Sequence, residues 1–458
     1  MTAPTGPARL LDGIGSADVI RLEAHLARWG ALPDLPAPSL LEAVDQSGLR
    51  GHGGAWFPVG TKWRSVAAGR SPVVVANGAE GEPASGKDRL LLHHAPHLVL
   101  DGASVAATAV GSGRVIVHVS EDSVTDVTAA LAERARRGSD RCQFEVVVAP
   151  DRFLSGQESA AVNTVNGRTP GIPSFVALRP VRDQGVAGRP TLVQNVESLA
   201  HVALIARYGP GWFRSVGTHD SPGTALVTVT GLWESPRIVE VPLGTTLGSA
   251  LGITPARAGG IQAVLLGGYG GGWLPTATAL SLPFTEEAAR GLGTSIGAGV
   301  VVLLPTGVCP LVEAARVVRY LEGEGAGQCG PCVNGLDVLA TQFELLAHRP
   351  HSLRGGTSAF PVLCGLVEGR GACHHPDGVA RFVRSALDVF GDHAALHLQR
   401  GPCQTTRPFL PVPATAAGHP VGRSLPFRES QYWPSPRGPA CRPRPGLAST
   451  VGHSRHVR

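Results

Sequence analysis

The chain has 458 residues, with 60 Gly, 38 Pro and a formal net charge of +5. That length and glycine content exclude a single small module and point to two or three domains. The charge sits in the tail: residues 401–458 hold eight Arg against one Glu, and removing that +7 from +5 leaves the body at −2. A body so near neutrality excludes a nucleic-acid-binding surface.

In chain order, residues 1–46 read as an N-terminal helical segment, with helices near Ala17–Trp29 and Ser39–Gln46. Met1–Ile20 lacks the basic start and apolar stretch of a secretory signal. Residues 47–222 open on a glycine-rich loop and continue as an α/β domain: strands Val73–Ala76, Val115–Val119 and Phe144–Val148 alternate with helices Leu98–Val110 and Val124–Arg137. Such alternation implies a largely parallel sheet covered by helices. Residues 223–274 read as a small β-rich domain, and 275–309 as a connecting segment. Within that segment Gly299–Leu304 is apolar but far too short to cross a membrane, so no membrane span is expected. Residues 310–400 are helical by period, at Val312–Leu321, Leu336–Ala347 and Val379–Phe390. Residues 401–458 carry 11 prolines and no sustained period, and read as a disordered Pro/Arg-rich tail.

Four blocks bear chemistry. Gly48, Gly51, Gly53, Gly54 and Gly60 crowd one loop that ends at Lys62. Glycines at that spacing let backbone N–H groups surround a phosphate, and a lysine adds a point charge; a structural turn is the alternative. Only two of the 40 basic residues are lysine, Lys62 and Lys87. The segment Asn77 to Arg89 follows a parallel strand, where α/β sheets place ligands, and carries Glu80 and Glu82 in alternation. A solvated acidic turn is the alternative there. Gly156-Gln157-Glu158-Ser159, Phe175 and the amides Gln194 and Asn195 form the third block; amides suit the donor–acceptor edge of a flavin. The fourth is Cys329-Gly330-Pro331-Cys332, with Cys373-His374-His375 beyond it. Three thiolates from a turn and a distant loop favour an iron–sulfur cluster; zinc, a redox dithiol and no metal at all are the alternatives. Eight cysteines in this pattern do not make a disulfide framework, and a cytoplasmic setting follows. Cys142, Cys309, Cys403 and Cys441 read as plain buried or tail thiols.

Together these blocks resemble the NADH-oxidising flavoprotein subunit of respiratory complex I, with the diaphorase subunits of NAD-reducing hydrogenases and formate dehydrogenases. The family's loop runs Gly-Leu-Arg-Gly-Arg-Gly-Gly-Ala-Gly-Phe-Pro-Thr-Gly, and its acidic loop Asn-Ala-Asp-Glu-x-Glu-Pro-Gly. The likeness covers roughly residues 40–395, in five separate blocks. It implies an FMN-binding α/β domain, a β-grasp domain at 223–274 and a C-terminal helical bundle carrying the cysteine cluster. It also implies an NADH dehydrogenase of diaphorase type, with FMN, NAD and a [4Fe–4S] cluster. Carried over by position, Gly51, His52, Gly53, Gly54, Lys62, Asn77, Glu80, Gln194 and Asn195 would hold FMN. Phe57, Glu82, Glu158 and Phe175 would face the nicotinamide nucleotide, Gln157 would be a further cofactor-binding residue, and Glu80 and Glu82 the catalytic carboxylates. Cys329, Cys332 and Cys373 would ligate the cluster.

The chain departs from the family at several of these positions. His52 replaces an Arg, Trp56 a Gly, Ala79 an Asp, Gln157 a Glu, Ile172 a Lys and Gln194 an Asn. Ala326 stands where the first cluster cysteine belongs, with His374, His375, Cys364 or an exogenous group as the substitute ligand. The implied partner is an electron-acceptor protein, of ferredoxin, [2Fe–2S] or membrane-haem type, which would hold the chain peripherally on the inner face of the membrane. The competing reading is a degenerate relative, an FMN-binding scaffold or β-grasp binding module without activity.

Overall fold

The computed structural model describes residues 8–413 apart from 13, 15–18, 139, 169–170, 175–179 and 405–406. Its first sheet has four parallel strands, β1 (Val73–Gly78), β2 (Arg114–Val119), β3 (Gln143–Val148) and β4 (Thr191–Asn195), in the order β3-β2-β1-β4. β1 is buried along its whole length, as befits a β-branched run in a sheet covered on both faces. The expected strands and the helices Pro96–Val110 and Val124–Arg137 form within two residues of their anticipated bounds. The latter helix carries Asp126 in its first turn and Arg134, Arg136 and Arg137 in its last, matching the helix dipole. Gly138, at φ +65°, ends it in the left-handed conformation.

The helices over this sheet lock together at two points. Gly102 lies so close to the helix Val196–Phe213 that a Cβ would stand 1.8 Å from the Leu199 carbonyl oxygen. The buried carboxylate of Asp101 takes hydrogen bonds from His25 (2.8 Å), Arg134 (2.7 Å) and Arg207, each on a different helix. Burial works against that charge, but His25, Arg134 and Arg207 outweigh it and hold the carboxyl below the ordinary range.

The second sheet is mixed. β5 (Thr224–Thr230), β6 (Arg237–Pro242), β7 (Ile261–Leu266), β8 (Gly272–Pro275) and β9 (Val300–Pro305) lie in the order β6-β5-β9-β7-β8. β5 and β9 pair in parallel, and the other neighbours are antiparallel. The segment 275–309, read from sequence as a connection, therefore supplies the central strand. Its apolar run is a strand with both faces covered, not a linker.

Helices Pro310–Gly323, Leu336–His348, Phe360–Val367, His375–Val389 and Gly391–Arg400 follow, around buried Phe343, Phe360 and Phe382. The chain stays packed past the last of them. Glu313 accepts the Phe409 and Leu410 N–H groups at 3.1 and 2.7 Å, Leu410 is buried, and the Tyr269 hydroxyl donates to the Pro411 carbonyl at 3.0 Å. Within the tail read as disordered, Phe409, Leu410 and Val412 thus pack on the helices; residues 405–406 and 414–458 lie outside the described residues. Among the described residues no helix is long and apolar enough to cross a membrane.

Candidate functional site

The adjacent strands β1 and β4 end together, with Asn77 in register with Asn195. Beyond their carboxyl ends lies a cavity of ≈ 360 Å³, the position at which parallel sheets place ligands. Of the residues expected to bind cofactor or nucleotide, His52, Gly53, Gly54, Asn77, Glu80, Glu82, Gln157 and Asn195 line it. The opposite wall comes from the second sheet, through Gly267, Tyr269, Gly270 and Gly297. Much of the wall is bare backbone. A Cβ on Gly81 would stand 2.4 Å from the Phe153 carbonyl oxygen and one on Gly156 2.7 Å from that of Ala79, so these two pack backbone on backbone, whereas one on Gly270 would meet nothing within 4 Å. A wall of bare glycine backbone, with amides and carboxylates among its lining, fits a flavin nucleotide.

The polar side chains on this wall are held by the fold. Asn195 caps the helix Val196–Phe213, accepting from Glu197 and Ser198 N–H at 3.0 and 3.4 Å, and its amide donates to Asp88 at 2.7 Å. Asn77 donates to the Gly156 carbonyl at 2.8 Å. Glu80 accepts from the N–H groups of Asp88 (3.2 Å) and Arg89 (3.1 Å), at the start of the helix Lys87–His94. Burial and neighbouring Asp88 raise its pKa, against the pull of Lys87. Glu82 accepts the Tyr269 N–H at 2.8 Å, which ties the acidic loop to the second sheet. Burial pushes Glu82 up to about 7. Gln157 caps the helix Glu158–Val165 through Ser159 and Ala160 N–H at 2.8 and 2.9 Å.

Other expected residues are not on that wall. The Gly51 N–H is taken by the Phe57 carbonyl at 2.9 Å, and Phe57 is exposed. Lys62 bridges the Val193 carbonyl (2.7 Å) and Glu158 (2.6 Å). Gln194 accepts from the Trp63 indole N–H at 3.2 Å and is buried. Phe175 lies outside the described residues. The second lysine, itself on the cavity wall, is buried: Lys87 meets Asp88 at 2.7 Å and Glu197 at 2.8 Å, a structural ion pair. His52 donates its backbone N–H to Ser198 at 2.9 Å and turns its ring into the core against His201 and Trp56. Trp56 does not enter the cavity; its indole N–H donates to the Gly297 carbonyl at 3.0 Å, and its backbone sits at φ +53°. That left-handed backbone gives the family's glycine at this position its physical reason.

His374 and His375 line the same cavity, and Cys373, next to them in sequence, lies near Cys329 and Cys332. Cys329 and Cys332 share a hydrogen bond across a π-helical turn, Pro331–Gly335, and Cys373 is their electrostatic neighbour. Burial, then Cys329, pushes the Cys332 thiol up to about 12. Three convergent thiols suit an iron–sulfur cluster. Each of the three candidate substitutes for a fourth thiol already has one hydrogen-bond partner: His375 Nε2 donates to the Leu321 carbonyl (2.8 Å), Cys364 to that of Ala380 (3.8 Å), and exposed His374 pairs through Nδ1 with Asp377 (3.3 Å), which leaves the second ring nitrogen of each histidine. Sequence reasoning missed Tyr269, Phe153 and the Gly267–Gly270 wall, whose approach is purely tertiary.

Two family models match regions of this chain, and known proteins resemble most of its length. A family model described as the Nuo51 FMN-binding domain matches residues 44–204, and one described as the NADH-ubiquinone oxidoreductase-F iron-sulfur binding region matches residues 313–397. The chain is 29% identical over 395 residues to the F 2 subunit of NADH-quinone oxidoreductase from Rhizobium meliloti, covering 81% of this chain and 92% of the relative. It is 30% identical over 398 residues to the F subunit of NADH-quinone oxidoreductase from Mycobacterium tuberculosis, covering 81% and 86%. Among solved structures it resembles air-oxidised NAD+-reducing [NiFe]-hydrogenase, with a TM-score of 0.73, 29% identity and coverage of 88% of this chain and 69% of that one. The chain therefore belongs to the family of F subunits of NADH-quinone oxidoreductase.

Proposed function

We propose that this chain is an NADH dehydrogenase of diaphorase type, which takes electrons from NADH through FMN and hands them through an iron–sulfur cluster to a partner protein. The observation that carries this reading is one glycine-walled cavity lined by Asn77, Glu82 and Asn195 and also by His374 and His375, the neighbours of Cys373. FMN, when bound, supplies hydride acceptance and release of electrons one at a time. The bare backbone of Gly53, Gly54, Gly81 and Gly156 provides the bed, and the amides of Asn77 and Asn195, already fixed by their own hydrogen bonds, orient whatever lies on it. Glu82 is the carboxylate we assign to the nicotinamide nucleotide. Its place is set by the Tyr269 N–H, and near pH 7 it exists in both protonation states. Glu80 acts one step back, as a positioning residue that fixes the helix carrying Asp88. Lys62 with Glu158 forms a charged pair beside the bed. Cys329, Cys332 and Cys373 are the proposed cluster ligands, with His374, His375, Cys364 or an exogenous group opposite Ala326.

The domain reading is part of the same proposal: an FMN-binding α/β domain, a second-sheet domain and a helical iron–sulfur domain. A parallel central pair flanked by antiparallel strands supports a β-grasp for the second sheet, extended to include β9. The acceptor is proposed as a ferredoxin-like, [2Fe–2S] or haem protein that holds the chain peripherally at the inner face of a membrane. The test is anaerobic purification followed by visible spectra before and after NADH, with iron and sulfide analysis. A yellow-brown protein that NADH bleaches is the expected result. A flavin reduced by dithionite but inert to NADH would establish the degenerate scaffold instead.

A further inference from the structure

Outside the flavin cavity and the cysteine trio, the helical region carries a second constellation of metal-ligating groups. Cys309 precedes the helix Pro310–Gly323. His393 and His397 lie one turn apart on the same face of the helix Gly391–Arg400. Cys403 follows three residues after that helix ends. Their four ligand atoms all fall within 4.8 Å of one another. The Cys309 sulfur is 3.6 Å from His393 Nε2 and 3.5 Å from His397 Nε2; the Cys403 sulfur is 3.3 and 3.4 Å from the same two atoms.

Those four separations describe the edges of a small tetrahedron. A tetrahedral zinc with bonds of about 2.3 Å to sulfur and about 2.0–2.1 Å to nitrogen has sulfur–nitrogen edges of about 3.5 Å. Ligand atoms this close enclose one ion and leave no room for an inorganic sulfide core. The surrounding groups prepare the donors. His397 Nδ1 donates to the Leu346 carbonyl at 3.3 Å, which leaves the Nε2 lone pair facing the centre. Backbone N–H groups of Leu311 and Val312 point at the Cys309 sulfur, as they do where thiolates carry charge. The Cys403 N–H also lies 3.2 Å from His397 Nε2, so that peptide must turn when a metal takes the lone pair. Cys309 and His397 are buried, Cys403 is exposed, and the site opens toward solvent at the Cys403 side.

We propose that Cys309, His393, His397 and Cys403 form a structural Cys₂His₂ site for a single zinc ion. Two thiolates and two neutral imidazoles fill all four positions, so the site stabilises and does not catalyse. It clamps the end of the last helix, and the segment leading to buried Leu410, onto the start of the helix Pro310–Gly323. The two cysteines taken from sequence as plain thiols thereby acquire a role. Their spacing, with one ligand 84 residues before the first histidine, is unlike that of a local zinc finger.

The inference stands independently of the flavin reading. The test uses the full chain, expressed with added zinc and exhaustively dialysed. Zinc and iron are measured by mass spectrometry, and the zinc environment by X-ray absorption. About one zinc per chain with two sulfur and two nitrogen ligands is expected. C403S, at the exposed ligand, and H393A should each lower zinc retention by about tenfold or more, with iron and flavin contents unchanged as the measure of an intact fold. Zinc still absent after reconstitution, zinc retained in both variants, or a Cys309–Cys403 disulfide in the chain as isolated would each overturn the proposal.

Discussion

At the scale of single residues, the departures from the family pattern carry physical costs that can be measured. Trp56 holds a left-handed backbone for which a side chain costs about 1–2 kcal/mol, yet its ring is buried and its indole N–H is satisfied. Losing a buried tryptophan costs about 3–5 kcal/mol, so W56G should destabilise the chain by about 1–4 kcal/mol in urea unfolding despite relieving the backbone. K87M removes the one cation between buried Asp88 and Glu197 and should cost about 3–5 kcal/mol in the same measurement. The trio of thiols makes A326C the complementary gain. It should raise iron and acid-labile sulfide per chain on anaerobic reconstitution; unchanged contents would show that position 326 does not face the cluster.

At the scale of elements, legibility followed the physics of each pattern. β1, β2 and β3 announce themselves as β-branched runs, and the helix Val124–Arg137 by its charged ends. The helix Val196–Phe213 was not recognised because its first three turns are buried on every side, which erases the amphipathic period. β4 was read only as a source of amides, and β9 only as an apolar run; what identifies each is its pairing partner, which is remote in sequence. The interlocking helices yield two further expectations. G102A must push the helix Pro96–Val110 away from the Leu199 carbonyl and should cost about 1–3 kcal/mol or more. D101N leaves Arg134 and Arg207 buried without their shared carboxylate and should cost about 3–5 kcal/mol. Both are read from denaturation midpoints.

At the scale of the whole molecule, the glycine loop, the acidic loop and the cysteines were legible as ingredients. The cavity they share was not, since its second wall comes from a different sheet. Burial also sets the molecule's response to acid. Burial pushes His52 and His201 down to about 3, and His118 and His375 down to about 4. Below the ordinary histidine value of about 6.5 the unfolded chain takes up protons that the folded chain refuses. Each group therefore removes about 1.4 kcal/mol of stability per pH unit as pH falls from about 6.5 toward its folded value. Glu82, raised to about 7, acts in the opposite sense between about 7 and 4.5, as do Glu80, Asp88 and Glu240, raised by burial. His97, held down at about 4, and His25 and His393, lowered by burial, act with the four histidines. Stability from urea titrations should accordingly fall between pH 7 and 5, and H201L should reduce that slope by about one proton's worth. A slope unchanged in H201L would place the titration elsewhere.

The near-absence of lysine has a practical corollary. Lys87 is sealed between two carboxylates, while the Lys62 side chain retains 25% of its exposure beside the proposed flavin bed. Amine-directed acylation of the folded chain should therefore modify Lys62 in preference to Lys87. The rate of that one modification, followed by peptide mass with and without FMN, tests whether Lys62 lies close enough to the flavin to be shielded by it. Lysine cross-linkers, by the same token, will be nearly blind to the docking partner, whose footprint is better sought through carboxylate or arginine chemistry.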